Sequence, residues 1–242
     1  MTPNEAPPRA AVVLVRPENP ENIGQAARAM KNTGYTDLRL AGVKRLSPIA
    51  YRTAVHAVDI LDAARLFPTL EEATADLQFI AAATAKKRKI GTAENWDEAA
   101  ARLGRLPADT RIGLLFGNER TGLTASELRR ANLIFSIPQA CRQPSYNLAA
   151  AVLISLYTLF SADRGDDGSS PRERDLPLSR REQDETISRI IAKLSDRGFI
   201  HRTNRDHVTA WVHDYFGRTA LTARDRGFLL ALFDKPAVKK EF

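Results

Sequence analysis

A chain of 242 residues with 43% hydrophobic and 27% charged side chains has an ordinary soluble globular composition, long enough for one large domain or a domain with a small appendage. Its single cysteine, Cys141, excludes an internal disulfide framework and fits a reducing cytoplasm. A net charge of +7 favours polyanionic partners, nucleic acid first among them, unless it serves solubility alone.

The opening residues, MTPNEAPPRA, hold no apolar stretch of the kind a secretory signal needs, and residues 1–9 read as a disordered lead-in. From Ala11 to Phe160 short apolar runs alternate with helical stretches. AVVLV (11–15), DLRLAGV (37–43), LQFIAAAT (77–84), RIGLLFG (111–117) and LIFSIP (133–138) predict buried parallel strands. NIGQAARAMKN (22–32), TLEEATAD (69–76), NWDEAAARLG (95–104) and TASELRRAN (124–132) predict the crossover helices between them. Asn22 is expected to open the first helix and Gly34 to close it. A long apolar helix follows from Asn147; its run LAAAVLISLYTLF (148–160) is too short to span a bilayer. This alternation predicts an α/β fold with helices on both faces of a parallel sheet and ligands at the C-terminal ends of the strands.

After Phe160 the pattern stops. The charged, Gly/Ser/Pro-rich stretch at 161–179 reads as a linker. Beyond it Ile187, Ile190, Ile191 and Leu194, then Val208, Trp211, Val212 and Tyr215, repeat at helical spacing, and a third helix is expected over 222–233. The expected division is residues 1–162 as the main domain, 163–180 as linker and 181–242 as a small all-α domain. Such a small module makes a marginal core and is expected to lean on a partner.

Three polar loops at strand ends carry the chemistry. In FGNERTGL, Gly117 and Gly122 have the spacing of a triphosphate loop, yet Leu123 stands where that loop needs lysine, and Glu119 would oppose a polyphosphate. The loop instead offers backbone groups and one carboxylate, which suits an adenine, a ribose and a cation. In NPENIGQAARAMKNTG, Arg28 lies opposite the apolar face formed by Ile23, Ala26, Ala27 and Met30, where it is either solvated or functional. In IPQACRQPSYNLAAAV, Ser145 or Asn147 caps the long helix or faces a ligand. KKRK (86–89) is a mobile cationic loop or a phosphate-backbone contact. His201, His207 and His213 match no common zinc spacing, so no metal is expected, and Cys141 is taken as a bystander.

Together these stretches resemble, in order and approximate separation, the three motifs of the SPOUT-class, SpoU-like RNA 2′-O-ribose methyltransferases, with the TrmJ-type tRNA methyltransferases the best match. The resemblance implies a Rossmann-like parallel sheet with a C-terminal trefoil knot, a homodimer whose active site is completed across the interface, and S-adenosylmethionine as cofactor. RGFIHRTN (197–204) resembles part of the family's C-terminal extension. By the same resemblance, Thr84, Ala85, Lys86, Gly117, Glu119, Ile137, Ser145, Tyr146, Asn147 and Leu148 hold the cofactor, and Arg28 is the catalytic residue. RNA contact is expected of Asn22, Lys87, Arg88, Lys89 and Arg120, with the helical module gripping tRNA. The implied reaction is 2′-O-methylation of a pyrimidine ribose in the tRNA anticodon loop, at position 32, in the cytoplasm and with no membrane partner. Alternatives are a related enzyme acting on ribosomal RNA or another tRNA nucleotide, and a non-catalytic RNA-binding protein.

Overall fold

A computed structural model describes residues 9–85, 93–140, 145–163, 176–201 and 203–234. The strands are β1 (Ala10–Val15), β2 (Leu38–Ala41), β3 (Arg65–Phe67), β4 (Phe79–Ala83), β5 (Glu94–Asn95), β6 (Ile112–Phe116) and β7 (Leu133–Ser136). They form one sheet in the order β3-β2-β1-β6-β4-β7-β5, and every pairing is parallel. The helices are α1 (Pro20–Thr33), α2 (Pro48–Ala54), α3 (Val58–Asp62), α4 (Leu70–Thr74), α5 (Trp96–Gly104), α6 (Ala125–Arg129), α7 (Leu148–Asp163), α8 (Arg180–Asp196), α9 (Arg205–Gly217) and α10 (Ala223–Asp234).

The continuous apolar reading of the strands has a direct cause: both faces of the sheet are covered. Along β1, Val12 and Leu14 enter a core shared with α1, α5 and α7, while Ala11, Val13 and Val15 enter a second core with α4 and α6. Alternate side chains point to opposite faces, so each face needs its own apolar partner. Leu14 is fully buried, and a side chain of that size contributes about 1.5–3 kcal/mol by leaving water. Close packing of α1 on α2 depends on Gly24, where a Cβ would lie 2.1 Å from Thr53 Oγ1 and 2.2 Å from the Ala50 carbonyl oxygen.

All five expected strands are present. β3 and β5 escape sequence reading because three and two residues carry no periodicity; they are strands only because β2 and β7 lie beside them. Residues 44–62, which the sequence leaves unassigned, form α2, a 3₁₀ turn at Val55–Ala57 and α3. The expected start of α1 at Asn22 is corrected. The cap is Asn19, whose side chain accepts from Glu21 N (2.9 Å), with Pro20 as the first helical residue. Gly34 ends the helix at φ 82°, as expected.

The C-terminal helices enclose a core of Leu178, Ile187, Ile190, Val212, Phe216 and Leu221. The partner they lean on is the sheet layer of the same chain. Asn132 is 5% exposed and joins the two, its amide accepting from Ile80 N (2.8 Å) and donating to the Gly217 carbonyl (2.9 Å). Arg180 N donates to the Leu77 carbonyl (2.7 Å), and Gln78 Nε2 to that of Pro177 (2.7 Å). The end of the expected linker is therefore docked structure: Leu178 is buried and Ser179 caps α8. Among the described residues, no helix is long and apolar enough to cross a membrane.

Candidate active site

The three motif loops converge at the C-terminal ends of β1, β4, β6 and β7 on a cavity of about 630 Å³. That volume lies within the roughly 300–1,000 Å³ typical of small-molecule sites. Its walls include Thr84, Ala85, Gly117, Glu119, Ile137, Ser145, Tyr146, Asn147 and Leu148, all expected there from the sequence. Lys86, Lys87, Arg88, Lys89 and Cys141 lie outside the described residues.

Local chemistry shapes each wall. Gly117 lets the chain double back after β6, since a Cβ there would lie 2.2 Å from Leu123 N. Asn118 organises the turn: its Oδ1 accepts from Arg120 N and Thr121 N, both at 3.0 Å. Gly122 adopts φ 69°, and Leu123 is 2% exposed in the second core. A lysine at that position would thus be buried, and the following α6 is only a five-residue helix. Among the described wall residues Arg120 is the one cation; it pairs with Glu18 at 3.3 Å, and Glu119 adds a second carboxylate. This electrostatic setting opposes a polyphosphate. Apolar Phe116, Ile137 and Leu148 beside loop backbone groups fit a ligand with an aromatic base and a polar tail.

Glu119 ties the loops together. Its Oε2 accepts from Glu18 N (2.8 Å), and its Oε1 accepts from Asn19 N (3.1 Å) and Asn22 Nδ2 (2.8 Å). Burial pushes the carboxyl up, but these donors outweigh it and hold the group below its ordinary value. Asn22 in turn accepts from Asn147 Nδ2 at 2.8 Å, and Asn147 Oδ1 caps α7 through Ala149 N at 2.9 Å. A relay of three side chains, Glu119–Asn22–Asn147, thereby joins all three motifs. The expectation that Asn22 contacts RNA is corrected: it is 4% exposed and both ends of its amide are occupied inside the protein. Asn147 combines the capping and lining roles left open by the sequence. Tyr146 donates its hydroxyl to the Pro138 carbonyl (3.1 Å).

Arg28 does not join this cavity. It sits on the exposed face of α1 and, among the described residues, has no hydrogen-bond or ion-pair partner. Asn118, Asn19 and Gln139 also line the wall and were not among the site residues expected from the sequence. The Asn-Pro pair at 19–20 was a usable signal for a cap; the other two carried none. Among the described residues there is no cluster of three or more potential metal-binding His, Cys, Asp or Glu side chains.

A family model described as the SpoU rRNA Methylase family matches residues 9–157. The tRNA (cytidine/uridine/adenosine-2'-O-)-methyltransferase TrmJ of Pseudomonas aeruginosa is 31% identical over 233 residues, spanning 91% of each chain. The crystal structure of TrmJ from Z. mobilis ZM4 superposes with a TM-score of 0.77 at 29% identity, covering 93% of this chain and 97% of that one. A structure titled for the 2-OH methylation of C/U34 on tRNA matches at TM-score 0.53 and 28% identity, covering 65% of this chain and 97% of its own.

Proposed function

The chain belongs to the SpoU rRNA Methylase family, and we propose that it methylates the 2′-oxygen of a pyrimidine ribose in the tRNA anticodon loop. The observation that carries this reading is the Glu119–Asn22–Asn147 relay, which closes three motif loops around one cavity. Bound there, S-adenosylmethionine would supply the methyl group and leave as S-adenosylhomocysteine. Thr84, Ala85, Gly117, Ile137, Ser145, Tyr146 and Leu148 would hold it, largely through backbone groups, with Lys86 joining them by resemblance.

A ribose hydroxyl is a poor nucleophile until its proton is shifted. Arg28 is no base, because a guanidinium offers five N–H donors and no acceptor. Its work is positioning: it orients the target nucleotide while the proton passes to a phosphate oxygen of the RNA. Orientation alone removes a large part of a bimolecular barrier. Because Arg28 is exposed and does not line its own cavity, it serves the site of a second copy in a homodimer. Leu153 and Tyr157, 42% and 61% exposed on α7, supply an apolar surface for that interface. The trefoil knot belongs to the same reading, supported by a sheet order in which β6 lies between β1 and β4. The C-terminal helices, together with Arg120 and residues 87–89, grip tRNA in the cytoplasm.

We place the target at position 32 rather than 34. Position 32 follows from the motif resemblance; the structure titled for C/U34, which covers 65% of this chain, makes position 34 the rival outcome. Mass-spectrometric mapping of 2′-O-methyl groups on tRNA and ribosomal RNA, after incubation with protein and labelled S-adenosylmethionine, tests this. Methylation at 34, on ribosomal RNA alone, or on no RNA overturns it.

A further inference from the structure

Arg16, the residue that follows β1, has φ 49°; the only other non-glycine residue with positive φ among those described is Val55. A left-handed backbone at such a residue persists only where its surroundings over-determine it. Here they do so from three sides. Arg16 N donates to the Ala41 carbonyl at the end of β2 (2.9 Å), and Asn118 Nδ2 donates to the Arg16 carbonyl (2.9 Å). The guanidinium forks onto both carboxylate oxygens of Glu127, with Nη2–Oε2 at 3.0 Å. Its stem runs so close over Gly42 that a Cβ there would lie 2.9 Å from Arg16 Cγ.

Asn118 and Glu127 bracket the loop at 119–124, most of which lines the cavity, while Arg16 and Glu127 line none of it. Glu127 also accepts from Thr124 N (2.7 Å), so its carboxylate holds the loop's exit and Arg16 together. The same left-handed turn delivers Glu18 N and Asn19 N to Glu119.

We propose that Arg16 is a positioning residue: its turn and its forked pair with Glu127 hold the 117–124 loop in the shape that binds the methyl donor. This rests on the reading of the cavity as the S-adenosylmethionine site. Affinity for the donor then depends on a pair that does not touch it, while turnover at saturating donor does not.

Arg16→Gly and Glu127→Gln separate the pair from the backbone. Glycine accepts the left-handed turn without strain, and glutamine preserves the capping contacts of Thr124 while removing the charge. Titration calorimetry with S-adenosylmethionine should show each variant binding about tenfold more weakly than wild type. The double variant should be no weaker than the worse single one, because both changes break one interaction. Arg16→Lys, which keeps the charge but loses the fork, should fall between. Each variant should still melt in one cooperative transition, and kcat at saturating donor should stay within about twofold. Wild-type affinity in Arg16→Gly, or additive losses in the double variant, overturns the inference. Failure of wild type itself to bind S-adenosylmethionine overturns the underlying reading instead.

Discussion

Replacing Asn22 with alanine cuts the relay at its centre. Glu119 loses the donor to its Oε1 at 2.8 Å but keeps Glu18 N and Asn19 N. Asn147 loses an acceptor but is exposed, so water replaces it at little cost. A hydrogen bond to a charged acceptor contributes about 1.5–3 kcal/mol, and the neutral Asn22–Asn147 bond about 1 kcal/mol less whatever water restores. The expected loss of stability is therefore about 2–3 kcal/mol. For a protein of this size that corresponds to a fall in Tm of roughly 4–12 °C, measured by calorimetric or circular-dichroism melts. The loops framing the cavity would loosen with it, weakening S-adenosylmethionine binding about tenfold or more, each 1.4 kcal/mol being a factor of ten. An Asn22→Ala protein whose stability changes by less than about 0.5 kcal/mol, the usual range for surface substitutions, and whose donor affinity is unchanged would refute the relay as the element that assembles the site.

Arg28→Ala should keep donor affinity and lose methyl transfer, by about 100-fold or more if its positioning role is as described. Gly117→Ala should lose donor binding, since the new Cβ would strike Leu123 N; mixing the two inactive proteins should restore part of the activity, and no recovery would argue against a site shared between two copies. Glu119 and Glu127 both carry carboxyls held below the ordinary 4.5. A depressed folded-state value contributes stability that is present above the unfolded value and lost as pH falls through the folded one. Unfolding free energy should thus be level from neutral pH to about 5 and decline below about 4, less steeply in Glu119→Gln; an equal decline in that variant would refute the assignment. Affinity for tRNA should fall steeply and linearly on a log–log plot against salt, and a salt-independent Kd would exclude phosphate-backbone contacts as its main source.

Much of this protein is legible in its sequence because the causes are local. An uninterrupted apolar run such as AVVLV announces a strand buried on both faces. Gly34 announces a left-handed helix end, and Leu123 in place of a lysine announces that the loop is not for triphosphates. Misreading Asn22 as the cap came from weighing residue type without the Asn-Pro pair just before it.

What the sequence alone determined was the five long strands, most of the longer helices and the order of the three loops, with the residues Thr84, Gly117, Glu119, Ser145 and Asn147 at the cavity wall following from the motif resemblance. Tertiary structure decided which groups answer one another. Glu119 meets Asn22 and two backbone amides about a hundred residues away, Asn132 holds a carbonyl at Gly217, and Arg16 finds Glu127. It also left Arg28 outside the wall of the cavity that the same motifs build. The division has a physical reason: periodicity and capping act within a few residues, whereas a hydrogen bond between distant segments exists only once the sheet order has brought their loops to one edge.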